Sequence, residues 1–224
     1  MIKKLLPILF VLIITSCSKE VPSDQVVIRN GIFYEVNSQT PFSGTLLSYH
    51  NDGQLDYREH FKDGKVDGLV EGYHENGQLK VRTNYKDGKK DGLYEYYSEN
   101  GQLDYIEHYK DGKKDGLSES YYFDKDQIRK KENFKDGKKD GLSESYFENG
   151  KVMLKEKFLD GNRDGLNQSY HMNGQLKTEI YLKDGKGILQ FFTEDGLLEN
   201  IYCFQDNEIM NEVSLNGVCE FTSQ

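Results

Sequence analysis

The chain has 224 residues, 29 basic and 38 acidic side chains, and a formal net charge of −9. That acidity argues against nucleic acid as a partner, since phosphates need a basic face, and disfavours tight binding to anionic lipid headgroups. The 30% of charged residues would suit a disordered chain, but sixteen Tyr and twelve Phe at regular spacing are the composition of a pleated sheet.

At the N-terminus Lys3 and Lys4 precede an apolar run, Leu5 to Ile14, too short to span a bilayer and of the length of a signal-peptide core. It ends in Ile14-Thr15-Ser16-Cys17, which resembles a bacterial lipobox, with Cys17 as the lipidated first residue of the mature chain. The weaker reading is an ordinary secretory signal with a chance cysteine. Ser18 differs from an inner-membrane retention signal, so the expected location is the cell envelope, lipid-anchored, with the outer membrane favoured over the inner. Loss of residues 1–16 removes two lysines and leaves a formal charge of −11. Cys203 and Cys219 then remain, and in an oxidising compartment they either form one disulfide or stay as two thiols.

The rest of the chain is repetitive. Counting from a glycine at position 0, a unit of about 24 residues reads G-L-x-E-x-Y-x-x-N-G-Q-L-x-x-x-x-x-Y-K-D-G-K-K-D. It begins at Gly44, Gly68, Gly92, Gly116, Gly141, Gly165 and Gly187, with spacings of 24, 24, 24, 25, 24 and 22. The expected organisation is a signal peptide (1–16), a lipidated terminus and tether (17–29), a degenerate leading repeat (30–43), seven repeats (44–204) and a C-terminal cap (205–224). Each unit carries two turns, one at x-Asn-Gly or x-Asp-Gly and one at Lys-Asp-Gly-Lys-x-Asp-Gly. For +5 to share a face with +11, the first turn must be a three-residue loop with Gly in the left-handed region.

Odd positions would then share one face. They include Tyr73, Tyr97, Tyr121, Tyr146 and Tyr170 at +5, Leu55, Leu79 and Leu103 at +11, Tyr85 and Tyr109 at +17, and Leu69 and Leu93 at +1. Even positions, such as Lys80, Arg82 and Asn84, form a mostly polar second face. Two irregular units test this register. The sixth lacks two residues after Lys186, which preserves facing because strand periodicity is two. The fourth carries one extra residue at Phe123-Asp124-Lys125-Asp126, and a four-residue loop there still sets Tyr121 opposite Ile128. The predicted fold is all-β: an elongated, twisted, single-layer antiparallel β-meander of about sixteen strands, built from seven hairpin repeats.

Gly-Leu-x-Glu-x-Tyr-x-x-Asn-Gly-Gln-Leu followed by Tyr-Lys-Asp-Gly-Lys-x-Asp-Gly resembles the MORN-repeat-variant family over about residues 30–205. Proteins of that type are often labelled YwqK-type antitoxin components of toxin–antitoxin systems. The resemblance implies a hairpin-repeat fold and, more loosely, an antitoxin or immunity-like role. The export signal departs from a cytoplasmic antitoxin.

Chemistry-bearing residues are few. No nucleophile elbow, phosphate loop, zinc spacing or dinucleotide fingerprint occurs, so no catalytic residue, cofactor, metal or small-molecule substrate is expected. The one candidate constellation is Glu59, Glu107 and Glu132 at +15, placed to face Glu71, Glu119 and Glu144 at +3. Carboxylates that close could share a proton, hold a cation or serve hydrolysis. A feature repeated in every unit serves the repeat more often than a single site does. The histidines (His50, His74 and His171 at +6, His60 and His108 at +16) read as solvated strand positions, and the second-turn lysines as a mixed rim. The expected function is non-enzymatic binding of a protein partner through the tyrosine stripe, with an envelope scaffold contacting lipid or cell-wall glycan as the alternative.

Overall fold

The computed structural model describes residues 19–123, 125–206, 208–213 and 219. The expected signal segment 1–16 and Cys17 lie outside the described residues. Before the repeats come β1 (Glu20–Pro22), a 3-10 turn (Ser23–Gln25), β2 (Val26–Arg29) and β3 (Ile32–Glu35). The first three repeats supply β4 (Gly44–Tyr49), β5 (Leu55–Lys62), β6 (Lys65–Tyr73), β7 (Leu79–Lys86), β8 (Lys89–Tyr97) and β9 (Leu103–Lys110). The middle of the array is β10 (Lys113–Lys114), β11 (Gly116–Tyr121), β12 (Ile128–Lys135), β13 (Lys138–Tyr146) and β14 (Val152–Leu159). The chain continues with β15 (Asn162–Arg163), β16 (Gly165–Tyr170), β17 (Leu176–Lys183), β18 (Lys186–Phe192), β19 (Leu198–Gln205) and β20 (Glu208–Val213).

Eighteen of these strands form one open sheet. From β4 to β20 every pairing is antiparallel between neighbours in sequence; β10 and β11 share one strand position beside β9, and β15 and β16 share one beside β14. β1 alone runs parallel, along β4, so the sheet is mixed at its first edge. Residues 20–29, expected to be tether, are therefore part of the fold as β1 and β2.

The two turns of each repeat follow from their residues. In the first, the His74 carbonyl accepts from Gly77 N–H at 2.8 Å, and His74 N–H donates to the Gln78 carbonyl at 2.9 Å. Gly77 sits at φ +81°, so the expected three-residue loop is present. In the second, Asp87 and Gly88 both take positive φ (49° and 80°) between the paired Lys86 and Lys89, a tight two-residue turn that Asp-Gly favours.

The facing departs from the sequence expectation for one reason, a β-bulge after the first turn. Tyr73 pairs with Leu79, but Gly72 pairs with Val81, so Lys80 is an extra residue. One added residue reverses every later side chain of that strand. The odd-position stripe is therefore split. Tyr73, Tyr97, Tyr121, Tyr146 and Tyr170 lie on one face with +1, +3 and +14; Tyr85 and Tyr109 lie on the other with +2, +4, +13 and +15. That second face, here called inner, gathers the buried residues Leu46, Val70, Val81, Thr83, Ser143, Ser145, Phe158 and Leu182. The opposite, outer face leaves Leu142, Leu166 and Ile188 each 45% exposed.

A wider bulge follows the second turn. Glu59 pairs with Val70 and Phe61 with Val66, leaving Asp67, Gly68 and Leu69 opposite His60 alone. In the sixth repeat the two missing residues remove this bulge, so Leu182 pairs with Gly187 and Tyr181 with Ile188 in regular register. In the fourth, Tyr121 stands opposite Ile128, as the loop length required.

Apolar packing is densest at the start of the array. Val21, Phe42, Leu46 and Phe61 form a buried cluster, flanked by Val26, Phe33 and Val66. Burial of each such side chain stabilises by roughly 1.5–3 kcal/mol, and the β2–β3 hairpin thereby covers the inner face of the first repeat. At the other end Cys203 Sγ is bonded to Cys219 Sγ, with Cα atoms 5.5 Å apart, closing a loop from β19 past β20.

Candidate functional site

The expected carboxylate pairs do not exist, because the bulges place +3 and +15 on opposite faces. Glu71 stands opposite Arg58 and Arg82, and Glu59 opposite Val70. Likewise Glu119 faces Ile106, Glu107 faces Tyr94, Glu144 faces Lys131, and Glu132 faces Ser143. No proton-sharing dyad is formed by these residues.

On the outer face three of the +3 carboxylates instead take a tyrosine and a cation. Tyr73, Tyr121 and Tyr146 donate their hydroxyls to Glu71, Glu119 and Glu144, and Tyr170 donates to Gln168. Arg82, Lys131 and Lys155 pair with the same three glutamates at 3.0–3.2 Å. Burial, then the hydrogen bond to Glu144, pushes the Tyr146 hydroxyl up to about 12, so it stays a donor at neutral pH.

The histidines bind backbone rather than solvent. His60 and His108 sit opposite the wide bulge, and their Nδ1 atoms lie 2.7 Å from the Leu69 and Leu117 carbonyls that it leaves without strand partners; Asn133 Nδ2 donates to the Leu142 carbonyl at 2.8 Å. His50, His74 and His171 reach one repeat ahead, with Nε2 2.8–3.0 Å from the Tyr73, Tyr97 and Phe192 carbonyls. Because the partners are carbonyls, the facing nitrogen carries the proton. No group of three or more potential metal ligands converges among the described residues.

The inner face has its own repeating pattern. The +15 carboxylate pairs with a cation just past the second turn: Glu107 with Lys114, Glu132 with Lys139 at 2.7 Å, and Glu156 with Arg163 at 2.6 Å. The two lysines also lie over the +17 ring of the following repeat, at 5.1 Å for Lys114 on Phe134 and 5.0 Å for Lys139 on Phe158.

The first two repeats break this pattern. Val66, held in the apolar cluster, stands where the first repeat would place its cation, so burial raises the Glu59 carboxyl and the Asp56 charge adds to it. Thr83 stands where the second repeat would place its carboxylate. Its Lys90 therefore rests on aromatic rings, 3.8 Å above Tyr94 and 4.9 Å above Tyr109. Burial lowers the Lys90 ammonium, Glu107 opposes that, and Lys114 adds to it.

Tyrosines concentrate in the same place. Tyr94 and Tyr96 at +2 and +4 of the third repeat both stack on Tyr105, with centroids 5.8 and 5.1 Å apart and planes within 13° and 12°. Tyr57 lies over Gly72, where a Cβ would come 2.6 Å from its ring, so glycine makes room for it. Beyond Tyr105 the strand neighbour is Ser120. Beside this wall opens a groove of about 650 Å³, bordered by Tyr94, Tyr105, Ser118, Ser120, Lys130 and Glu132. A second groove, of about 670 Å³, lies under the turns of the last repeats. Asp160, Asp164, Asp184 and Asp206 line it, a turn composition that recurs along the whole edge and singles out no ligand.

Tyr94, Tyr96, Tyr105 and Lys90 were not singled out by the sequence reading. The available signal was that, of the seven repeats, the third alone has tyrosine at both +2 and +4.

An open sheet of hairpin units, each clasping the next, defines a β-hairpin repeat protein. Residues 43–63, 66–87, 90–111, 139–160 and 163–184 match the MORN repeat variant family, and the chain belongs to that family. No curated protein matches the chain.

Proposed function

We propose that this is a non-catalytic lipoprotein of the cell envelope that binds a protein partner through its outer face. The observation that carries the reading is the exposure of Leu142, Leu166 and Ile188 beside the ladder of tyrosines and paired charges at +3, +5 and +14. Aromatic side chains with fixed hydroxyl partners lose little freedom on binding, and exposed aliphatic side chains supply the apolar centre of an interface.

The resemblance to YwqK-type proteins makes an antitoxin or immunity role the first to test, and the lipobox-like Cys17 supports a partner met at a membrane surface. Among the described residues no helix is long and apolar enough to cross a membrane, and in this reading attachment is through acyl chains on Cys17.

Crosslinking the anchored protein in its own cells should yield one stoichiometric protein, lost when Leu166→Asp is introduced. Recovery of lipid or wall material alone would defeat the reading. Deleting this gene while leaving a neighbouring toxin-like gene intact should arrest growth if the role is antitoxin. Cys17→Ser should release the chain from the membrane fraction.

A further inference from the structure

In a repeat array, whatever recurs in every unit holds the array together, so a ligand site is sought where the pattern breaks once. The break in this chain is on the inner face, where the second, third and fourth repeats meet. Tyr105 is covered on one side by Tyr96 and Tyr94 and has only Ser120 on the other. A serine cannot cover a phenol ring, so that ring borders the groove of about 650 Å³. The volume falls within the roughly 300–1,000 Å³ range of ligand-binding clefts.

The lining decides what would fit. Of the lining ions, Lys114 is paired with Glu107 and Lys130 with Glu132, Lys90 lies over the Tyr94 and Tyr109 rings, and Arg129 and Asp104 carry opposite signs, so the walls gather no cluster of one charge that would select a strongly charged ligand. Among the described residues no aliphatic side chain borders the groove and its one wholly apolar neighbour, Phe123, is 72% exposed, which offers no enclosed pocket for an apolar peptide anchor. It also lies mid-sheet, where β9 and β11 already use their backbone groups on each other, so a peptide strand has no edge to join. What remains is a flat aromatic wall opposite hydroxyls and paired ions that can each accept or donate further hydrogen bonds. A ring with an apolar C–H face and polar hydroxyls around its rim matches both.

We infer that this groove is a subsite for a neutral polysaccharide chain, one sugar lying against Tyr105 with its hydroxyls reaching Ser118, Ser120, Glu107 and Glu132. The site is independent of the outer-face reading above, since Tyr105, Ser118, Ser120, Glu107 and Glu132 point to the opposite side of the sheet.

The test is titration of the full chain with chitotetraose, maltotetraose and cellotetraose, followed by tyrosine fluorescence and calorimetry. At least one should bind saturably. Tyr105→Ala should weaken that binding by about tenfold or more, the scale of a lost aromatic stack. Ser120→Tyr places the third repeat's own residue at the same position of the fourth; it fills the groove while keeping every tyrosine, and should abolish binding. Leu166→Asp, on the outer face, should leave it unchanged. Absence of binding by all three sugars, or binding that survives Ser120→Tyr, would overturn the inference. An acidic peptide that competes with the sugar for Lys90 and Lys130 would overturn it as well.

Discussion

Glu59 and Glu132 occupy equivalent places in two repeats and titrate in opposite directions. For Glu132, burial pulls upward, but hydrogen bonds and charge from Lys130 and Lys139 outweigh it and hold the carboxyl below its ordinary range. Its stabilising contribution is therefore full above the unfolded value of about 4.3 and is lost as pH falls through the folded value. Glu132→Gln should flatten the loss of stability on acidification, read as thermal midpoint against pH. Glu59 has no such cations, and burial raises it. Its penalty is present at neutral pH and disappears below the unfolded value, so Glu59→Gln should raise the midpoint at pH 7 and leave it unchanged near pH 3, roughly a unit below that value. The +16 side chains make a further case. His60→Ala should cost about 1–3 kcal/mol in urea unfolding by leaving the Leu69 carbonyl unsatisfied, whereas His60→Asn should cost far less, since Asn133 already bonds the Leu142 carbonyl from the same place.

The hairpin is the element on which register depends, and its two bulges set what a deletion does. Removing Lys139 and Asp140 together should convert the fourth-to-fifth turn into the regular form seen at Lys186-Gly187, at the cost of about 1 kcal/mol for the lost Glu132 pairing. Cooperative melting by circular dichroism should survive. Removing Asp140 alone reverses facing and should collapse the second half of the array, seen as loss of most strand signal. The same bulges mark the limit of sequence reading. Repeat length, both turns, the pairing of +5 with +11 and the neutrality of the sixth repeat's deletion were all legible, because glycine and asparagine announce turns and length is countable. The bulge at +12 was not, since Lys80 differs in nothing from an ordinary exposed strand residue. Leu at +1 and Phe or Tyr at +17 therefore looked like one stripe, and Glu59 and Glu71 like a pair, when the sheet lies between them. The tyrosine wall was hidden for a related reason: its members belong to even positions on one strand and odd positions on the next.

Across the whole molecule stability is close to a sum of neighbour terms, so the ends matter out of proportion to their size. Phe42 sits in the one large apolar cluster among the described residues, and Phe42→Ala should cost about 3–5 kcal/mol. Hydrogen exchange should then show the first two repeats opening ahead of the rest, while the end closed by Cys203–Cys219 stays protected; simultaneous opening of all repeats would contradict the one-dimensional picture.

The clasps between units bear on how such an array can change over generations. Asn76 reaches the Glu99 carbonyl and Gly88 the Val66 carbonyl, each one unit away and no further. A unit copied or lost by recombination anywhere between the two ends would find its partners already in place. Array length is thus free to drift while every join stays sound, and a lone departure such as the stacked tyrosines is inherited as a passenger of its own unit.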